Sequence, residues 1–212
     1  MDYVDEIVNE LDQYAIQEIA KYGIPTLDNY NDVINVAVAL GKRLNANLQA
    51  IKLGARFLDL KLGEATQQKK ISEHITMALG FAKEFLSRYP LQEDIKQKVY
   101  YCITEHHNTK FSCVESEICA NADCCKFLAP KKVLRMFYNW RQRGYNFEEI
   151  FNLAEEKVEE RWKALTLEIC KKELQYNYNK IREFLEIARK DPVNFIETFD
   201  KLETRNINEF GE

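Results

Sequence analysis

Only three of the 212 residues are histidine, four are proline and seven are glycine. So few helix breakers leave room for long helices, and no run of alternating apolar and polar residues marks a strand. No apolar run approaches the ~18–20 residues that span a membrane. The six cysteines, Cys102, Cys113, Cys119, Cys124, Cys125 and Cys170, form no C-x-x-C pair. The adjacent Cys124 and Cys125 would clamp one ion poorly, which argues against a zinc ribbon. No low-pKa context for a redox thiol is visible either. A net charge of −4 gives no basic surplus of the kind a nucleic-acid binder carries. The opening residues, MDYVDEIVNELDQY, are acidic where a signal peptide is basic. These absences predict a cytoplasmic protein with no membrane or nucleic-acid partner, whose cysteines are small core residues in a reducing compartment.

What is present is helical. Hydrophobic residues make up 46% of the chain, enough for a core, and the 30% that are charged mix both signs as an ordinary surface does. Apolar residues recur at helical spacing, which predicts an all-α fold. The pattern predicts helices over 3–22, 29–44, 47–61, 68–88, 91–106, 114–128 and about 130–142. A long, highly charged helix or helix pair follows, with one short helical candidate in the tail. The expected division is a helical domain over 1–145, the charged helices over 146–190 packing on it, and a frayed tail over 191–212. Apolar positions along the long helices also suit homodimer formation.

Each histidine has a readable direction. Ile71, His74, Ala78, Phe81 and Phe85 are spaced 3, 4, 3 and 4, so His74 lies on an apolar stripe and faces inward. Ile95, Val99, Cys102 and His106 are spaced 4, 3 and 4, so His106 faces inward at the last turn. His107 is rotated by about 100° if still helical, and converges with His106 only if the helix stops there. Asp59 shares a stripe with Ile51 and Ala55, and Asp123 shares one with Cys119 and Phe127. Carboxylates on apolar faces need partners. A metal ion would satisfy the whole set, and so would a buried network in which each aspartate orients a histidine.

The order of these residues resembles the HD-domain superfamily of metal-dependent phosphohydrolases over about 29–128. The segment Ile51-Lys-Leu-Gly-Ala-Arg-Phe-Leu-Asp-Leu-Lys-Leu-Gly63 is similar to the helix that ends in a His-Asp pair, with Asp59 matching the aspartate and Leu58 in place of the histidine. Glu73-His-Ile-Thr-Met-Ala-Leu-Gly80 resembles the helix of a later histidine, Glu105-His-His-Asn108 the double-histidine segment of two-metal members, and Ala120-Asn-Ala-Asp123 the late aspartate. The family's early histidine falls at about Asn29. In two-metal members one ion takes the early histidine, the His-Asp pair and the late aspartate. The other takes the shared aspartate and three later histidines. The resemblance therefore implies loss of the first site, at Asn29 and Leu58, and survival of the second, as Asp59, His74, His106 and His107.

An HD-like helical bundle with long C-terminal helices is the fold this implies, and one divalent transition metal (zinc, iron or manganese) the cofactor. Such an ion lowers the pKa of water at its open positions, the chemistry of attack on a phosphoester. The implied substrate is a small phosphorylated molecule or nucleotide. Asp123 is the candidate general base, or else a group outside the ligand set. Lys61, just beyond Asp59, is a candidate phosphate contact, with Glu64 beside it and Lys52, Arg56 and Lys110 as a further basic rim. The alternative is a degenerate HD domain that binds a nucleotide or metal, or acts as a scaffold, without turnover.

Overall fold

Thr26 and Asn47 show how local chemistry starts the helices in the computed structural model, which describes residues 3–193. Thr26 Oγ1 accepts a hydrogen bond from the Asn29 backbone N–H at 3.3 Å and caps α2 (Leu27–Arg43). Asn47 Oδ1 accepts from Gln49 and Ala50 at 3.0 and 3.1 Å and caps α3 (Leu48–Phe57). Both satisfy amides that a helix start leaves without partners. Around them run α1 (Tyr3–Tyr22), α4 (Leu62–Gln67), α5 (His74–Ser87), α6 (Glu93–Glu105) and α7 (Val114–Cys125). A single 3₁₀ turn over Ile71–Glu73 leads into α5. Then come α8 (Pro130–Gln142), α9 (Phe147–Ala164) and α10 (Glu168–Lys190). The fold is all-α, with no strand among the described residues. No helix among them is long and apolar enough to cross a membrane.

The chain divides into two compact units. Among the described residues, the first combines 3–127 with 160–173, and the second combines 128–159 with 174–193. In the first unit, α3 packs on α1, α2, α6 and α7, and α6 packs on α5 and α7. Ile7, Leu11, Ile51, Leu53, Phe57, Ile103 and Ile118 fill its core. In the second unit, Phe137 meets Phe151 edge to face at 4.8 Å between ring centres. Arg189 bonds Glu155 at 2.7 Å there, and Tyr178 donates to Glu159 at 2.6 Å.

Several expectations are resolved by tertiary contacts. The stretch 47–61 stops being helical at Phe57, and α4 follows as a separate short helix. Gly63 lies inside α4. A Cβ there would lie 2.4 Å from the Ile24 carbonyl oxygen and 2.5 Å from Tyr22 Cβ, so only glycine allows the close approach. The long charged region is a helix pair, parted at residues 165–167. Buried Asn121 explains the break. Its Oδ1 accepts from the amides of Thr166 and Leu167 at 3.0 and 3.1 Å, and its amide donates to Glu117 O and Thr166 Oγ1. Of the cysteines, Cys102, Cys119, Cys124 and Cys170 are buried and Cys113 and Cys125 half-buried. The short helix expected in the tail falls largely outside the described residues.

Candidate metal centre

The centre forms where α3, α5 and α6 meet. Gly54 sets the approach of α3 to α6: a Cβ there would lie 2.7 Å from Cys102 Cβ and Sγ. With the backbones this close, Asp59, just past the end of α3, lies beside His106, just past the end of α6. His74 is the first residue of α5.

Each inward histidine is aimed by its own chain. His74 Nδ1 lies 2.7 Å from the Ile71 carbonyl, and His106 Nδ1 lies 2.7 Å from the Ile103 carbonyl. A carbonyl oxygen only accepts, so each Nδ1 carries the proton and donates it. In the neutral ring, Nε2 is then left with its lone pair. Both Nε2 atoms are buried and have no hydrogen-bond partner in the protein. They face the same carboxylate oxygen, Asp59 Oδ1, at 4.0 Å from His74 and 3.9 Å from His106. Buried polar atoms are nearly always paired, so two that converge on one point call for a shared partner. Two ligand atoms bound to one ion at ~2.1 Å lie at most about 4.2 Å apart, and both separations are within that reach. A cation fits here, because lone pairs and a carboxylate repel each other and attract positive charge.

His107 is the third imidazole. The ligand nitrogens of His74, His106 and His107 all lie within 4.8 Å of one another. Its ring centre is 4.1 Å from that of His106 and 5.5 Å from that of His74. Unlike the other two it is exposed at the rim of the centre. Desolvation of its ring, and then the neighbouring His106, push its pKa down to about 4. It is therefore a neutral donor across the ordinary pH range. Glu105 holds the loop that follows, accepting from the Ser112 amide at 2.9 Å and from Ser116 Oγ at 2.7 Å.

Asp59 has a second face. Its Oδ2 accepts from Lys126 Nζ at 2.7 Å, and the same ammonium lies 2.6 Å from Asp123 Oδ1. Arg161 donates to the other Asp123 oxygen at 2.8 Å. Burial alone would raise the Asp59 carboxyl, but the Lys126 ammonium and then His106 together leave it below its usual value. Burial is likewise overcome at Asp123, where Lys126 and then Arg161 hold the carboxyl well below the usual carboxylate range. A general base needs a pKa near the working pH and an open oxygen. Asp123 has a cation at each oxygen, so this geometry departs from the base expected of it and makes it an anchor for Lys126 and Arg161.

Lys61 is occupied elsewhere. Its ammonium pairs with Glu18 at 3.1 Å and Glu64 at 3.0 Å, and donates to the Tyr14 hydroxyl. None of these partners is a histidine of the centre. Arg56 pairs bidentately with Asp12 at 2.8 and 3.0 Å, and Lys52 pairs with Asp5 at 3.1 Å, so neither is a free phosphate contact. Asn29 and buried Leu58 line a narrow cleft together with Asp59 and Lys126. Lys126, Arg161 and Glu105 are the participants that sequence reasoning missed. Only Lys126 left a signal, standing three residues after Asp123 and thus on the same side of the end of α7.

No family model and no curated protein sequence matches the chain. Solved structures do match. A predicted HD-superfamily hydrolase from an uncultured Thermotogales bacterium aligns with a TM-score of 0.65 at 15% identity, covering 88% of this chain and 91% of that one. An HD-superfamily hydrolase from Bacillus thuringiensis aligns at 0.65 and 16% identity, covering 89% and 97%. YpgQ of Bacillus subtilis, solved in complex with ADP, aligns at 0.64 and 14% identity, covering 87% and 96%. The chain has the HD-domain fold. At these identities the likeness concerns the fold, and the chemistry of the centre is argued from its own residues.

Proposed function

We propose that this protein is a metal-dependent phosphohydrolase whose centre takes one divalent ion on His74, His106, His107 and Asp59. The observation that carries this reading is the pair of buried, unpartnered Nε2 atoms converging on Asp59 Oδ1. A network of direct hydrogen bonds would bring these atoms to ~3 Å; they stand about 4 Å from the carboxylate, which suits a shared ion better. A divalent ion there supplies Lewis acidity toward water and a phosphoryl oxygen.

The chain's own residues do the rest. The Ile71 and Ile103 carbonyls fix the tautomer and aim of His74 and His106, as partners to the far nitrogen of a ligating imidazole do. His107 marks the solvent side, where a substrate can arrive. Lys126 holds Asp59 ionised and turned toward the histidines. The substrate we infer is a small phosphorylated molecule or nucleotide. The ADP seen with YpgQ, which shares the fold, is consistent with that class.

Hydrolysis of bis(p-nitrophenyl) phosphate and of a panel of nucleoside mono- and diphosphates with manganese(II) tests the reading. The expected result is turnover that EDTA abolishes and that His106→Ala lowers by more than ~10-fold, the least that disturbing even the outer partners of a ligand does. Metal binding without turnover on any substrate would instead favour the degenerate binding domain.

A further inference from the structure

Lys126, which holds Asp59 toward the histidines, is itself a buried cation held from two sides. Its side chain is 7% exposed and its Nζ touches two carboxylates from different parts of the chain, Asp59 Oδ2 at 2.7 Å and Asp123 Oδ1 at 2.6 Å. Two carboxylates brought this close to one point repel each other unless a cation lies between them. Lysine is rarely buried without such pairing. Lys126 closes the C-terminal end of α7 three residues after Asp123, so the same side of that helix end delivers both the carboxylate and the cation that neutralises it.

We propose that the Lys126 ammonium is a built-in cation occupying the position of a second metal ion between Asp59 and Asp123. It restricts the centre to one metal and holds Asp59 so that its other oxygen faces the histidines. The proposal rests on the one-metal reading above for the histidine side, but its own evidence is separate. The cleft lined by Asn29, Leu58, Asp59 and Lys126 admits a water-sized sphere whose centre can range over only about 10 Å³. That is room for roughly one water molecule, too little for an ion with its remaining ligands. Leu58 presents hydrocarbon to that cleft where an ion would need a donor atom. Charge is balanced as it stands, with Asp59 and Asp123 against Lys126 and Arg161. A dication added between the two carboxylates would meet an ammonium already there.

Removing the ammonium should turn this position into a metal site. Lys126→Ala leaves Asp59 and Asp123 facing an opened volume, an oxygen-rich set that suits manganese(II). Wild type and Lys126→Ala, both stripped of metal, are titrated with manganese(II) alone, and bound ions are counted by equilibrium dialysis. The proposal predicts one ion per chain in wild type and two in Lys126→Ala, with Lys126→Ala/Asp123→Asn back at one. No ion in wild type and one in Lys126→Ala would uphold the role of Lys126 while removing the histidine site. One ion in both proteins, or none in both, would overturn the proposal, as would two in wild type. If Lys126→Ala does not fold without metal, it is refolded with manganese(II) or with EDTA. Recovery only with the ion, at two per chain, supports the proposal, and failure under both conditions overturns it.

Discussion

At the scale of single residues, the centre depends on which nitrogen of each imidazole carries its proton. His74 and His106 were legible in the sequence because each continues an apolar stripe. The carbonyl that fixes each ring belongs to the residue three positions earlier, so the aim is also local. His107 was legible only on condition that the helix ended, and α6 ends at Glu105. The burial of Lys126 was not legible. A lysine three residues after an aspartate reads as a surface ion pair, and its burial depends on Asp59 arriving from α3. Arg161, on α9, reaches Asp123 through tertiary packing alone. The state of His107 yields a prediction about pH. Its pKa in the fold is about 4, against 6.5 for the free side chain. As pH falls, the unfolded chain therefore takes up this proton first. The contribution of His107 makes the metal-free protein lose stability as pH drops from about 6.5 to about 4, and regain it in the other direction. The depressed carboxyls of Asp59 and Asp123 act in a lower window, below 3.8. Thermal midpoints of EDTA-treated protein at pH 7, 5.5 and 4.5 should decline, and decline less in His107→Asn. An equal decline in both would place the proton elsewhere.

At the scale of elements, the site is positioned by close helix approach. Gly54 allows α3 to lie against α6 at Cys102, and this contact sets Asp59 beside His106. Gly54→Ala should therefore destabilise the protein by about 1–3 kcal/mol, the usual effect of overpacking. Because the strain falls on the contact that registers Asp59 to His106, the variant should also bind manganese(II) more weakly. Urea unfolding and a metal titration check both effects; wild-type stability would show that the helices are not in close contact there. The element the sequence concealed is α4. Gly63 looks like a terminator in the sequence, and its helical role emerges only from the Ile24 carbonyl and Tyr22 crowding it. The break between α9 and α10 was open in the sequence as a helix or a helix pair. It is settled by Asn121, whose side chain takes up amides that a continuous helix would have bonded internally.

At the scale of the whole molecule, helical periodicity and the scarcity of glycine and proline made the all-α class legible. The order of Asp59, His74, His106, His107 and Asp123 pointed to the HD-domain fold that the solved structures share. What the order could not carry is the balance of charge at the centre. Periodicity assigns a residue to a face, whereas the Lys126 and Arg161 pairings depend on distances between elements far apart in the chain. The same limit applies to Lys61, which follows Asp59 closely yet turns to Glu18 and Tyr14 on α1. The central claim is that three imidazoles and Asp59 share one metal ion. Elemental analysis of protein purified without added metal tests it most directly. The account predicts about one transition-metal ion per chain in wild type and none in a folded His74→Ala variant. Metal-free wild type that takes up no zinc, iron or manganese when these are supplied would contradict it.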